Sequence, residues 1–151
     1  MLLFSIIFDV FVGFVAADSV ANTTVLHNTN FLLGGRTMGT IAEGVEFDTI
    51  AREWRCKWSA DHDKKSLVEA QKALQDVVGE IAKVDGFTES KRIVCGECQD
   101  FKIITPLPAS KYEAWSEKQF APEKDFLDKL RSIDGISQVE TQTYTFMPVK
   151  P

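Results

Sequence analysis

The chain has 151 residues, 44% of them hydrophobic and 26% charged, with 22 acidic against 17 basic side chains and a formal net charge of −5. That suffices for one domain with its own core, whereas scattered lysines and arginines on a net negative chain lack the basic footprint of phosphate-backbone binding, so nucleic acid is not an expected partner. With 9 Gly, 5 Pro and 3 Cys the chain is neither collagen-like nor a disulfide-dense scaffold, and it carries no P-loop, dinucleotide glycine fingerprint, His-Glu-x-x-His motif or serine nucleophile elbow.

Residues 1–17 form an apolar leader, interrupted by Asp9 and ending in Val15-Ala16-Ala17 before Asp18. Small residues there suit signal-peptidase cleavage. As a helix the leader reaches about 24 Å, short of a hydrocarbon core about 30 Å thick. It reads as a signal peptide or anchor, and Asn22-Thr23-Thr24 is a glycosylation acceptor that suits secretion. The alternative is translation from Met38. The first reading places the chain in the secretory pathway, with membrane contact only if the leader is retained; the second makes it cytoplasmic. Residues 18–50 hold Gly34-Gly35, Gly39 and Gly44 without a sustained period and read as a linker or irregular segment.

Residues 51–148 are patterned as one α+β domain. Trp54, Cys56 and Trp58 alternate with Arg55 and Lys57, the period of a strand buried on one side. Leu67, Ala70, Leu74, Val77, Val78 and Ile81 then recur at three and four residues, one stripe of a helix, with Ser66 and Glu69 at capping-box spacing, Asp63 a competing cap, and Asp85-Gly86 as the stop. Lys91 to Cys95 and Asp100 to Thr105 read as strands around the tight connection Gly96-Glu97-Cys98-Gln99, with Pro106 and Pro108 ending the second. Ser110 and Glu113 open a second helical region bearing Tyr112 and Trp115, which Pro122 should break or restart. Phe126, Leu127, Leu130 and Ile133 resume the stripe before Asp134-Gly135, and the threonine-rich run Ser137 to Met147 is a last strand.

The order β-α-β-β-α-β closes, with right-handed crossovers, as a ferredoxin-like sandwich: a four-stranded antiparallel sheet with both helices on one face. Alternation places Trp54, Cys56, Trp58, Ile93, Phe101, Ile103 and Val139 toward the helices. It places Arg55, Lys57, Arg92, Val94, Lys102, Ile104, Glu140, Gln142, Tyr144 and Phe146 on the opposite face.

The run Val94-Cys95-Gly96-Glu97 to Asp100-Phe101-Lys102-Ile103, followed by a helix and then by Leu130-Arg131-Ser132-Ile133-Asp134-Gly135-Ile136 and Val139-Glu140-Thr141, is similar to the effector-binding domain of the leucine-responsive/asparagine regulator family. That family has a Gly-x-x-Asp turn between strands two and three, here one residue longer, and a proline where Asp134 stands. The regulators place a helix-turn-helix before this domain, and residues 1–50 offer none, so DNA binding is not implied. The resemblance implies a stand-alone dimeric α+β barrel domain, pairing face to face through its sheet and holding an amino-acid-like ligand near the subunit contacts.

Cys95-x-x-Cys98 reads as a structural turn with inert thiols, with a redox or disulfide pair and a metal site as the alternatives. His62 and Asp63 are the further zinc ligands on offer. They follow strand one, and with strands one and three running parallel they lie at the far end of the sheet from the cysteine turn, so no metal is expected. Cys56 reads as core and His62 as a solvated turn histidine.

On the opposite face, Val94, Ile104, Tyr144 and Phe146 are more apolar than an exposed sheet needs and are candidate dimer-interface residues. Arg55, Lys57 and Lys102, with Gly96 and Asp100 of the turn, are candidate ligand-binding residues for a small anion such as a carboxylate. The leading expectation is a non-enzymatic small-molecule-binding or oligomerisation module, a homodimer or larger homo-oligomer with no cofactor and no catalytic residue assigned. A small dimeric α+β barrel enzyme of the monooxygenase or isomerase type is the alternative, and a secreted or membrane-tethered binding protein a third. The enzyme needs a His, Asp or Glu on that face, and Glu140 is the group this alternation supplies.

Overall fold

A computed structural model describes residues 31–33 and 36–149, so the apolar leader, the Asn22 acceptor and His27 lie outside the described residues. The segment expected to be irregular up to residue 50 instead contains strands β1 (Phe31–Leu33), β2 (Arg36–Ala42) and β3 (Val45–Phe47), joined in the order β1-β2-β3. Gly39 and Gly44 serve this small sheet. Gly44 takes φ +75° in the turn between β2 and β3, and Gly39 lies under the Phe47 ring, where a Cβ would come within 2.4 Å of Cζ. Phe47 is 5% exposed and belongs to the main core.

The principal sheet contains β4 (Thr49–Lys57), β5 (Lys91–Val94), β6 (Asp100–Pro108) and β7 (Ser137–Thr145), all antiparallel neighbours in the order β5-β6-β4-β7. With α1 (Asp61–Ile81), α2 (Ala109–Ser116) and α3 (Glu123–Arg131) against one side, this is the expected ferredoxin-like βαββαβ sandwich, its second helix split in two. Trp54, Cys56, Trp58, Phe101, Ile103 and Leu107 of the central strands meet Ala70, Ala73, Leu74, Ile81, Tyr112, Trp115, Phe126, Leu127 and Leu130 of the helices, all buried.

Several local expectations change. β6 runs through Pro106 and Pro108, because these pair only with Ala51 and Thr49 of β4 while β5 has already ended at Lys91↔Ile104. A proline is tolerated where one side of a strand has no partner. The Ser66–Glu69 capping box does not form: the Ser66 hydroxyl accepts from Ser59 N–H at 2.9 Å and donates to Ser59 O at 3.2 Å, tying β4 to α1, and Glu69 pairs with Lys72. His62, Asp63 and Lys64 take a left-handed turn before the regular helix, which ends at Ile81, before Asp85-Gly86. Val78 faces solvent at 45% exposure. Ser110 makes no cap either, since α2 begins directly after Pro108 with Ala109 N–H bonded to Asp48 O. α2 ends at Ser116, before Pro122 is reached, and Pro122 marks the restart, with α3 beginning at the next residue.

Two errors of sheet geometry matter more. β4 and β6 are antiparallel, with Lys57 opposite Asp100, so the cysteine turn and the Ser59–Asp63 loop share one end of the sheet; Trp58 N–H even donates to Gln99 O at 3.0 Å. Strand direction therefore does not separate His62 and Asp63 from the cysteines, though among the described residues no three His, Cys, Asp or Glu side chains are grouped to hold an ion. The alternation assigned to β5 is also inverted. Val94 lies opposite Phe101 and Arg92 opposite Ile103, on the helix side, where Arg92 bonds Gln71 of α1; Lys91 and Ile93 are on the open side. A shift by one residue exchanges every side chain between faces, and a strand exposed throughout its length has no burial pattern to reveal it. Among the described residues no helix is long and apolar enough to cross a membrane.

Candidate functional site

Across the open face the strands lie in register, so cross-strand neighbours follow directly from pairing. Lys57 sits opposite Asp100, Arg55 between Lys102 and Glu140, Glu53 between Ile104 and Gln142, and Ala51 between Pro106 and Tyr144. The face is thus charged at one end and apolar at the other, with Phe146 extending the apolar end at 48% exposure. Ile104, Tyr144 and Phe146 share that end as expected, whereas Val94 does not reach it.

Arg55, Lys57 and Lys102 are brought together, but each faces a carboxylate. Arg55 donates through Nε and Nη2 to Glu140 Oε2 at 2.9 and 2.7 Å. Lys57 Nζ lies 2.7 Å from Asp100 Oδ1 and donates to Cys98 O at 2.7 Å, and Lys102 Nζ is 3.6 Å from Asp100 Oδ2. The Lys57 hydrogen bond, aided by the charges of Lys57 and Lys102, holds the Asp100 carboxyl below its usual range against the opposing effect of desolvation. Gly96 lies in the turn beside this end. Cys95 and Cys98 are joined as a disulfide across that turn, in place of the two free thiols expected, and Cys56 is buried with its thiol pushed up to about 12 by burial and then by the Asp100 charge.

Where charged and apolar ends meet stands Glu53, only 5% exposed. Tyr144 Oη donates to its Oε2 at 3.2 Å. Its Oε1 accepts no hydrogen bond, although Arg55 Nη1 and Lys102 Nζ lie 3.9 and 4.0 Å away. A buried carboxylate oxygen without a donor is costly unless a water or a further group satisfies it. Sequence reasoning credited Glu140 as the carboxylate of this face and missed Glu53. The signal was present, since Glu53 precedes Arg55 and Lys57 by two and four residues and so shares their side.

Burial, and then the Glu53 charge and hydrogen bond, push the Tyr144 phenol up to about 12. The folded chain thus keeps this proton longer than the unfolded one, so the contribution to stability is present below pH ~10 and lost as pH rises from about 10 toward 12. The chain has two tyrosines, and burial raises Tyr112 as well. Ultraviolet titration should therefore show little phenolate at pH ~10, and Glu53→Gln should bring one of the two ionisations part of the way back. Two ordinary tyrosine titrations in the wild type would count against this geometry.

No family model matches the chain, and no curated protein matches it in sequence. Among solved structures it is similar to a proposed antibiotic biosynthesis monooxygenase from Deinococcus radiodurans, with 12% identity, 68% of this chain and 96% of that one covered, and a TM-score of 0.51. It is similar also to a proposed antibiotic biosynthesis monooxygenase from Bordetella bronchiseptica, with 8% identity, 68% and 99% covered, and a TM-score of 0.50. At these identities the likeness is one of fold, and it does not extend to the regulators' effector-binding domain in particular. The chain shares with them the ferredoxin-like βαββαβ fold.

Proposed function

We propose that the protein is a small dimeric α+β barrel enzyme of the monooxygenase type, in which Glu53 removes a proton from an organic substrate seated on the open face and Tyr144 carries or returns it. The observation that carries this is the buried Glu53 carboxylate, whose Oε2 accepts from Tyr144 while its Oε1 has no hydrogen-bond donor and lies about 4 Å from the Arg55 and Lys102 cations. A carboxylate with one oxygen held by a hydrogen bond and the other without a donor is arranged to accept a proton, and the two cations beside it favour a substrate that becomes an anion. The substrate class is a phenol or a carbon acid next to a carbonyl. For a methylene substrate the overall step R2CH2 + O2 → R2CO + H2O balances, one oxygen atom entering the substrate and the other leaving as water. The fold shared with two proposed monooxygenases supports the same choice over isomerisation.

Oxygen uptake and exchange of substrate hydrogen with solvent, measured over a panel of phenols and 1,3-dicarbonyl compounds, test this reading. Glu53→Gln should lower both by about 100-fold or more, as loss of a general base does. Full turnover by that variant would overturn the assignment, and hydrogen exchange without oxygen uptake would move the enzyme to the isomerase type.

A binding role for an amino-acid-like carboxylate, with Arg55, Lys57, Lys102, Gly96 and Asp100 as its contacts, is the second reading, favoured by the three cations gathered at one end and by the resemblance to effector-binding domains. In this reading the ligand displaces Glu140 from Arg55. Ligand-dependent rises in melting temperature with amino acids or organic acids that vanish in Arg55→Ala would support it.

A further inference from the structure

We propose that the Cys95–Cys98 disulfide is a thiol–disulfide exchange site for small-molecule thiols, in which Cys98 is the sulfur attacked and Cys95 the leaving group. The inference is independent of the Glu53 chemistry. The loop that carries the disulfide joins two strands at the charged end of the sheet. Gly96, Glu97 and Cys98 are exposed, Cys95 is partly covered, and the space where a side chain on Gly96 would begin is empty to 4 Å, so an incoming thiol meets an open approach.

The two sulfurs are not equivalent. Cys98 N–H donates to Cys95 Sγ at 3.1 Å, a contact that strengthens as Cys95 takes up negative charge. Asp100 Oδ2 lies 3.5 Å from Cys98 Sγ and disfavours negative charge there. Exchange runs fastest when the better-stabilised thiolate departs, so both groups make Cys95 the better leaving sulfur, while pairing with Lys57 and Lys102 offsets the repulsion of Asp100 on an incoming thiolate. The surrounding backbone is held throughout: Cys95 N–H donates to Asp100 O at 2.9 Å, and Lys57 Nζ bonds Cys98 O at 2.7 Å. The loop therefore keeps its shape when the S–S bond opens.

The steps balance with a monothiol such as glutathione as reductant. Its thiolate attacks Cys98 Sγ, a mixed disulfide forms, and the Cys95–Cys98 bond breaks with its electron pair leaving on Cys95. A second thiolate attacks the glutathione sulfur of the mixed disulfide and releases Cys98 as thiolate. The protein gains two electrons and two protons, and two thiols become one disulfide.

The folded full chain, incubated with millimolar glutathione, quenched by alkylation and sequenced by mass spectrometry, tests this. The first glutathione adduct should lie on Cys98 in preference to Cys95 by at least about tenfold. Dithiothreitol should then expose two alkylatable thiols while Cys56 stays unlabelled. Asp100→Asn should erode the preference toward equal adducts. A disulfide untouched by glutathione, adducts on Cys95, labelling of Cys56 in step with the other two, or a preference unchanged in Asp100→Asn would each overturn the proposal.

Discussion

Glu123→Ala should cost about 3 kcal/mol of stability and lower the melting temperature by roughly 10 °C. Glu123 opens α3, where the helix N-terminus favours a negative charge, and its carboxylate is gripped from the sheet. Arg52 donates through Nε and Nη2 to its two oxygens at 2.7 and 2.8 Å, and Trp54 Nε1 donates at 2.6 Å. The Arg52 and Glu123 side chains are each only 14% exposed. Arg52 also reaches Thr143 and Thr141 of β7 and stacks 4.2 Å over the Phe120 ring, so one guanidinium joins β4, β7, the α2–α3 connection and α3. Removing the carboxylate strands both the cation and the indole N–H. Replacing Arg52 with Met and Glu123 with Leu together should recover part of the loss, because no charge is then left unpaired, and what remains is a Trp54 N–H without its acceptor and Thr141 and Thr143 hydroxyls without their Arg52 donor. Equilibrium denaturation of the two variants measures this; a Glu123→Ala cost below about 1 kcal/mol would reduce the pair to the standing of a surface salt bridge.

Phe146→Glu should raise the dimer dissociation constant by about a thousandfold. Among the described residues no helix covers the open face, and its apolar end, formed by Ile104, Pro106, Tyr144 and Phe146, meets a second copy in the dimer proposed here. In a two-fold contact a substitution acts twice. Burying a carboxylate without a partner at about 2 kcal/mol per copy gives about 4 kcal/mol, close to three powers of ten. Phe146 is 48% exposed in the protomer, so the same change should leave the protomer's own stability nearly unaltered, which separates dissociation from unfolding. Sedimentation velocity of the wild type and the variant reads the result. A wild type that is monomeric at tens of micromolar (~20–50 μM, where a ferredoxin-like dimer with a micromolar constant is mostly paired) would sink the closed-barrel arrangement.

How much of this was legible before the structure depends on what each feature answers to. β4 and α1 announce themselves, because Trp54, Cys56 and Trp58 recur at the period of a pleated strand and Leu67, Ala70 and Leu74 at that of a helix, and those periods are set by the backbone alone. The element order and the crossover rule then leave one sheet topology, which is the one found. The early strands were not legible, since glycines that read as breakers serve a turn at Gly44 and a ring contact at Gly39, both defined by residues elsewhere in the chain. β5 carries no burial contrast, so its facing, and with it the place of Val94, waits on the pairing with β6.

What the sequence determined by itself is therefore the set of periodic elements, their order and the apolar stripes that must meet, all consequences of local backbone geometry and of hydrophobic burial. What only the tertiary structure decided is register, facing and company. Arg92 and Val94 turn to the helix side, Cys95 finds Cys98, and the cations of the open face each acquire a carboxylate. Glu53 is the clearest case. Its side of the strand follows from alternation, but that its Oε1 is buried without a donor while Tyr144 holds the other oxygen depends on β6 and β7 closing around it from residues 50 to 90 positions away, a non-local condition that no local period encodes.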